Sequence, residues 1–211
     1  IRLSLVGSEM CIRDRSLDRA VGEIMQSVED LGLDKTTVTI FISDNGYMWG
    51  EHGLGGKWLL YEESIHVPIM VKGPGIPQKM KGVKLDQLAL NIDIAPTILD
   101  IAGIVIPEEM DGISLFPLLK GKSESFRTDF FMEHVGIIEV ETPIPDSRGV
   151  RTDEWKYIRY INVDPEVEEM YNIRLDPMES KNLANDKDFA EIKARMIEKY
   201  DNYIVTLKET N

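Results

Sequence analysis

The 211 residues are 43% hydrophobic and 29% charged, with a formal net charge of −13, and carry a single cysteine. An acidic chain of this kind speaks against nucleic acid as a partner, since phosphate backbones reward basic surfaces, and no apolar run approaches the ~20 residues that a membrane-spanning helix needs. With only Cys11 no disulfide can close within the chain, and the composition fits one or two globular units.

Residues 1–15 show no clean helical or strand period. The string L-S-L-V-G-S-E-M-C-I-R-D-R at 3–15 resembles a translated sequencing-adaptor read, so 1–15 are expected to be non-native and are set aside from fold reasoning. From Ser16 to Leu31 the pattern is that of an amphipathic helix: Leu17, Ile24, Val28 and Leu31 share a face, with Ser16 as N-cap and Gly32 as stop.

Thr36 to Ser43 is a β-branched run in which Val38, Ile40, Phe41 and Ile42 leave no polar face. This pattern predicts a strand covered on both sides, as in a parallel sheet. Asp44 and Asn45 then sit just past its carboxyl end, where open α/β sheets bind ligands. Adjacent carboxylate and amide oxygens are hard donors and favour Ca²⁺ or Mg²⁺ over zinc, although two ligands are too few for either ion. An Asp-Asn-Gly tripeptide alone is more simply a turn.

The glycines after it change that reading. Gly46, Gly50, Gly53, Gly55 and Gly56 make a flexible loop, and it delivers Lys57 thirteen residues after Asp44. A lysine beside a cation site suits a tetrahedral oxyanion, which needs positive charge from more than one side; otherwise it is a solvated surface lysine. His52 lies between the oxygen donors and Lys57, where an imidazole can bond substrate or protonate a leaving group, or simply tie down the loop.

Residues 65–72 form the next apolar run, with Pro68 suited to a strand start or a bulge rather than a central rung. Asp93 as N-cap, Pro96 in the first turn and Gly103 as stop predict a core helix without chemistry. The Gly-, Pro- and Ser-rich stretch 111–125 divides a core part, 16–125, from a small α+β subdomain, 126–211. There, short β-like runs at 129–134, 148–152, 155–162 and 168–173 precede a helix from about Asp188. Its Phe189, Ile192, Met196, Tyr200, Tyr203 and Leu207 recur at helical spacing, which predicts an antiparallel sheet with one helix packed on it.

Several of these strings carry a family resemblance. S-D-N-G-x-x-x-G-E-H-G-L-x-x-K at 43–57, Y-E-E-S-I-x-V-P at 61–68 and G-P-G at 73–75 closely resemble the second half of the type I sulfatases, members of the alkaline phosphatase superfamily. The stretches 93–104, 111–121, 151–160 and 171–184 agree with it in the same order. The resemblance implies the C-terminal part of an alkaline-phosphatase-like α/β fold with a mixed or parallel sheet core. It also implies hydrolysis of a sulfate ester by a formylglycine nucleophile located in an upstream half, on a bound divalent cation, usually Ca²⁺.

Carried over residue by residue, Asp44 and Asn45 match metal ligands and Lys57 the lysine that contacts the sulfate. His66 stands where related sequences often have arginine, and His134 receives no role. Cys11 is rejected as nucleophile, since C-I-R-D-R at 11–15 lacks the proline of the family's C/S-x-P-x-R motif. The substrate class implied is a sulfate ester, with sulfated polysaccharide favoured and aryl or choline sulfate open, and the location implied is an exported one. A phosphonate monoester or phosphodiester hydrolase of the same superfamily and a non-catalytic remnant of the fold are the alternatives. Too few crossover units are present to finish a parallel sheet, so 16–211 alone are expected to be inactive and prone to aggregation.

Overall fold

The computed structural model describes residues 2–122, 126–135 and 144–209. It opens on α1 (Arg2–Asp30), a helix that begins well before the predicted start at Ser16. Ser16 is no cap: its Oγ donates to the Ile12 carbonyl at 2.8 Å, one turn back inside the helix. No proline interrupts this stretch, and the helix runs through it without an apolar period, yet every side chain from 12 to 20 is exposed. Gly32, at φ 67, follows the helix end as predicted. Among the described residues no helix is long and apolar enough to cross a membrane.

The chain then forms β1 (Thr39–Ile42), the hairpin strands β2 (Met48–Trp49) and β3 (Gly55–Gly56), the single turn α2 (Glu62–Ile65) and β4 (Ile69–Lys72). β1 pairs antiparallel with β4, Ile40 facing Val71 and Ile42 facing Ile69, whereas the apolar run alone suggested a parallel neighbour. A parallel return needs a crossover of about a dozen residues or more, usually a helix across the sheet face. The link from β1 to β4 instead spends its length on the hairpin and on a four-residue α2. All four β1 residues are half-buried and Met70 of β4 is 58% exposed.

Two helices follow, α3 (Ile94–Ile101) and α4 (Phe116–Leu119). Asp93 stands at the N-cap position of α3 as predicted, but its buried carboxylate turns elsewhere. It accepts from the backbone N–H groups of Leu90 and Ile113, at 2.7 and 2.8 Å, and from Arg127 Nη2 at 2.7 Å. Thr97 completes the tie, donating to the Asp93 carbonyl at 2.6 Å and accepting from Leu115 N at 2.8 Å.

The remaining chain builds a four-stranded antiparallel sheet of β5 (Asp129–His134), β6 (Asp146–Thr152), β7 (Trp155–Ile161) and β8 (Val167–Asn172) in sequence order. On one face lies α5 (Ala190–Glu209), whose Met196 and Tyr200 are buried against Val150, Tyr157 and Met170, with Phe189, Ile192 and Tyr203 packed beside them. The other face carries the segment that follows β1. Met48 and Tyr61 pack with Tyr171 and Ile173, and Leu60 packs with Met132, Ile158 and Tyr160. The sheet thus has a helix on one side and the glycine hairpin with its continuation on the other, and that second contact positions the site.

Candidate functional site

Past the last residue of β1 the backbone turns tightly. Ser43 Oγ donates to the Asn45 carbonyl at 2.8 Å, Asn45 N donates to Asp44 Oδ1 at 2.9 Å, and Asn45 Nδ2 donates to the Gly46 carbonyl at 2.8 Å. The β2–β3 hairpin, with Met48 opposite Gly56, then brings the chain back to its starting level. Lys57 is the first residue after β3, and its Nζ donates to Asn45 Oδ1 at 2.9 Å. The structure therefore joins Asn45 and Lys57 directly, with the exposed Asp44 carboxylate next in the chain. Asn91 Nδ2 holds the Asp44 carbonyl at 3.2 Å.

His52 is placed differently. It sits at the hairpin tip with φ 56, its ring stacked on Tyr61 at 4.0 Å between centroids, and its Nε2 lies 3.3 Å from Glu63 Oε2. Its partners are thus the α2 turn and Tyr61, and not the Asn45–Lys57 pair.

The oxygens of Asp44 and Asn45 are hard donors in adjacent positions, and Asn45 Oδ1 accepts a hydrogen bond from the Lys57 ammonium with one of its two lone pairs. They fit a hard divalent cation as two of the roughly six to eight oxygens that calcium takes. A second group of potential donors exists, since ligand atoms of His52, Glu63 and Glu179 lie within 4.8 Å of one another. There the positive charge is already supplied by Lys156, whose Nζ is 2.8 Å from Glu179 Oε1.

Gly46 shows why the loop needs glycine. Its N–H donates to the Ser64 carbonyl at 2.8 Å, and a Cβ at this position would stand 1.9 Å from the Glu63 carbonyl oxygen. The close approach is to protein backbone, so Gly46 fastens the residue after Asn45 to α2. Gly46→Ala is expected to force the loop off α2 and to destabilise the protein by about 1–3 kcal/mol, the usual penalty of overpacking. A shift of the urea midpoint measures it, and an unchanged midpoint would mean that the approach is looser than the structure has it.

α2 is in turn held by charges that sequence reasoning assigned no role. Lys156 of β7 is fully buried; its Nζ donates to the Leu60 carbonyl at 3.0 Å and lies 2.8 Å from both Glu62 Oε1 and Glu179 Oε1. Arg151 Nε reaches Glu62 Oε1 at 3.1 Å, and Glu62 N donates to Glu179 Oε2 at 2.6 Å. Burial pushes the Glu62 carboxyl up, but Lys156 and Arg151 together outweigh it and bring its pKa down to about 2. For Glu179 burial wins over Lys156 and the pKa is raised. The available signal was a lysine set between two aromatics, Trp155 and Tyr157, in a β-like run.

Comparison with known proteins adds a family to this geometry. Residues 50–206 match the family described as N-sulphoglucosamine sulphohydrolase, C-terminal, a stretch that includes Lys57 and begins just after Asp44 and Asn45. An N-acetylglucosamine-6-O-sulfatase of Bacteroides thetaiotaomicron is 30% identical over 179 residues, covering 83% of this chain and 31% of the relative. A solved structure of a protein in complex with its substrate, D-glucosamine-2-N,6-O-disulfate, superposes with a TM-score of 0.77 at 27% identity, covering 92% of this chain and 39% of the other. A phosphonate monoester hydrolase of Agrobacterium radiobacter superposes with a TM-score of 0.75 at 27% identity, again over 92% of this chain and 39% of the other. The chain spans about a third of the length of the curated relatives it matches.

Proposed function

The chain belongs to the N-sulphoglucosamine sulphohydrolase C-terminal family of sulfatases, and from that membership we propose that it forms the C-terminal part of a sulfuric ester hydrolase acting on sulfated sugars. The observation that carries the reading is the 2.9 Å contact between Asn45 Oδ1 and Lys57 Nζ at the end of β1, which sets an ammonium beside hard oxygen donors. A sulfate monoester has the matching chemistry: a tetrahedral group with anionic oxygens on one side and an ester oxygen leaving on the other.

In this reading Asp44 and Asn45 are ligands of a Ca²⁺ ion, and Lys57 neutralises a sulfate oxygen while Asn45 fixes the ammonium in place. Bound Ca²⁺ would supply Lewis-acid polarisation of the sulfate oxygens. The nucleophile, expected to be a formylglycine, and the remaining ligands belong to polypeptide beyond this chain. Exposed apolar side chains on and around the core helices support such a covering part, among them Met70 at 58%, Ile98 at 52% and Val105 at 88% exposure. An exported location goes with the proposal.

A second reading has its own support, because the phosphonate monoester hydrolase shares the fold over the same stretch and an ammonium beside hard oxygens suits a phosphonate equally well. The longer enzyme assayed on 6-O-sulfated glucosamine and on a phosphonate monoester separates them. The sulfate ester is expected to give a kcat/KM at least about tenfold higher. A preference for the phosphonate overturns the sulfatase reading, and turnover of neither ester favours a non-catalytic remnant.

A further inference from the structure

Exposed aromatic rings lie near the Asn45–Lys57 pair in the chain: Tyr47 and Trp49 on the outgoing arm of the hairpin, and Trp58 directly after Lys57. Tyr47 and Trp49 pack on each other at 4.7 Å between centroids. Trp58 is different, because it bridges the site to the sheet. Its ring lies 5.9 Å from that of His134, the last residue of β5, at an interplanar angle of 52°. The Lys57 ammonium is 6.0 Å from its centroid.

Trp58 is also a ring held in place. Gly56 adopts φ 115, and a Cβ there would meet Trp58 Cδ1 at 3.1 Å and Nε1 at 3.2 Å, so the indole lies over a position that only glycine leaves free. Even so seated, the residue keeps 37% of its surface exposed. Beside it, His134 Nε2 is buried and has no hydrogen-bond partner among the described residues. That atom has essentially no accessible surface, so the imidazole backs the indole and does not reach a ligand; a fixed ring face beside a charged group is how small polar ligands are positioned.

Resting on the sulfatase reading, we infer that Trp58 forms the subsite for the sugar ring that carries the sulfate, with the indole face against the pyranose C–H groups and the His134 ring as its support. The occupant is a pyranose because its faces are apolar and can lie flat on the indole, while its sulfate ester reaches the Lys57 ammonium 6.0 Å from the ring centroid. An acyclic alkyl sulfate offers Lys57 the same anion and gives this subsite nothing to hold. Trp58 is thus a specificity residue that touches substrate, and the ester bond itself remains the business of the Asp44, Asn45 and Lys57 group.

The test compares the longer enzyme with its Trp58→Ala, Trp58→Phe and His134→Ala variants, on 6-O-sulfated glucosamine and on a short alkyl sulfate. Trp58→Ala is expected to raise KM for the sugar by about tenfold, the weight of one ring contact, and to raise KM for the alkyl sulfate far less. Trp58→Phe restores most of the affinity, and His134→Ala, which takes away the ring beside the indole, raises KM for the sugar by less than Trp58→Ala does. An equal loss on both esters, with no rescue by phenylalanine, reduces Trp58 to a packing residue and overturns the inference. Calorimetric titration of 6-O-sulfated glucosamine into the same proteins keeps the two readings apart. Binding without turnover that is weakened by Trp58→Ala sustains the subsite and overturns the sulfatase reading, and no binding to the unaltered protein overturns the subsite.

Discussion

Replacing Lys156 by methionine is expected to destabilise the four-stranded sheet by about 3–5 kcal/mol, the scale of removing one partner from a buried charge cluster. The side chain is fully buried, and its ammonium is the only cation within ion-pair distance of Glu179 among the described residues. Glu62 keeps Arg151 when Lys156 is gone, whereas Glu179, itself without side-chain exposure, keeps no cation and only the N–H of Glu62. The loss therefore falls on an uncompensated carboxylate and on the Leu60 carbonyl that Lys156 Nζ held. Burial already raises the Glu179 pKa against the pull of Lys156, and removing Lys156 raises it further. Amide exchange at Tyr157 and Ile158 of β7 and the urea midpoint measure the effect. The triple variant Lys156→Met, Glu62→Gln, Glu179→Gln should recover much of the loss, because it leaves no charge unpaired. A single variant as stable as the parent would show that this cluster is open to water.

The same cluster sets a pH dependence whose sign follows from its two carboxyls. Glu62 titrates near 2 in the fold against 4.5 ordinarily, so its contribution is complete above 4.5 and fades as pH falls toward 2. The raised pKa of Glu179 acts oppositely: it favours the fold below the ordinary value and is lost as pH rises through the folded one. Glu62→Gln is expected to flatten the acid limb of the stability profile between pH 4.5 and 2. An acid limb unchanged by that substitution would remove Glu62 as its source.

Periodicity explains what could be read from the chain alone. Phe189, Ile192, Met196, Tyr200 and Tyr203 keep to the helical repeat and all meet the core, and only Leu207 leaves it, at 41% exposure near the end of α5. The four β-like runs of the subdomain became β5 to β8, since alternation and turn residues are local signals. The direction of β4 against β1 was not local; it depended on how the intervening residues returned. Lys156 and Leu60 are 96 positions apart, and a buried lysine contradicts the general habit of that side chain, so neither period nor propensity could reveal the clamp on α2. For the site, Asn45 and Lys57 were legible because a glycine hairpin separates them, and it folds back on itself. His52 sits in the same loop, but its positive φ and the stack on Tyr61 turn it toward Glu63.

Asn45→Ala in the longer enzyme should lower kcat/KM for the sulfate ester by about a thousandfold, the upper range for removing one electrostatic contact at a reacting oxyanion. The size follows from the double duty of the amide oxygen in the proposed site, as a cation ligand and as the acceptor that holds the Lys57 ammonium at 2.9 Å. Lys57→Ala removes the ammonium and leaves the oxygen donors intact, so its effect should be smaller. Because Asn45→Ala also releases the lysine, the double variant should lose little more than Asn45→Ala alone. Calcium titration gives an independent reading: Asn45→Ala and Asp44→Ala weaken binding, Lys57→Ala does not, and Asn45→Asp restores it. If the losses of Asn45→Ala and Lys57→Ala simply multiply, the contact between them has no part in turnover. If the protein with both Asp44 and Asn45 changed to alanine binds calcium as before, the cation lies elsewhere in the enzyme.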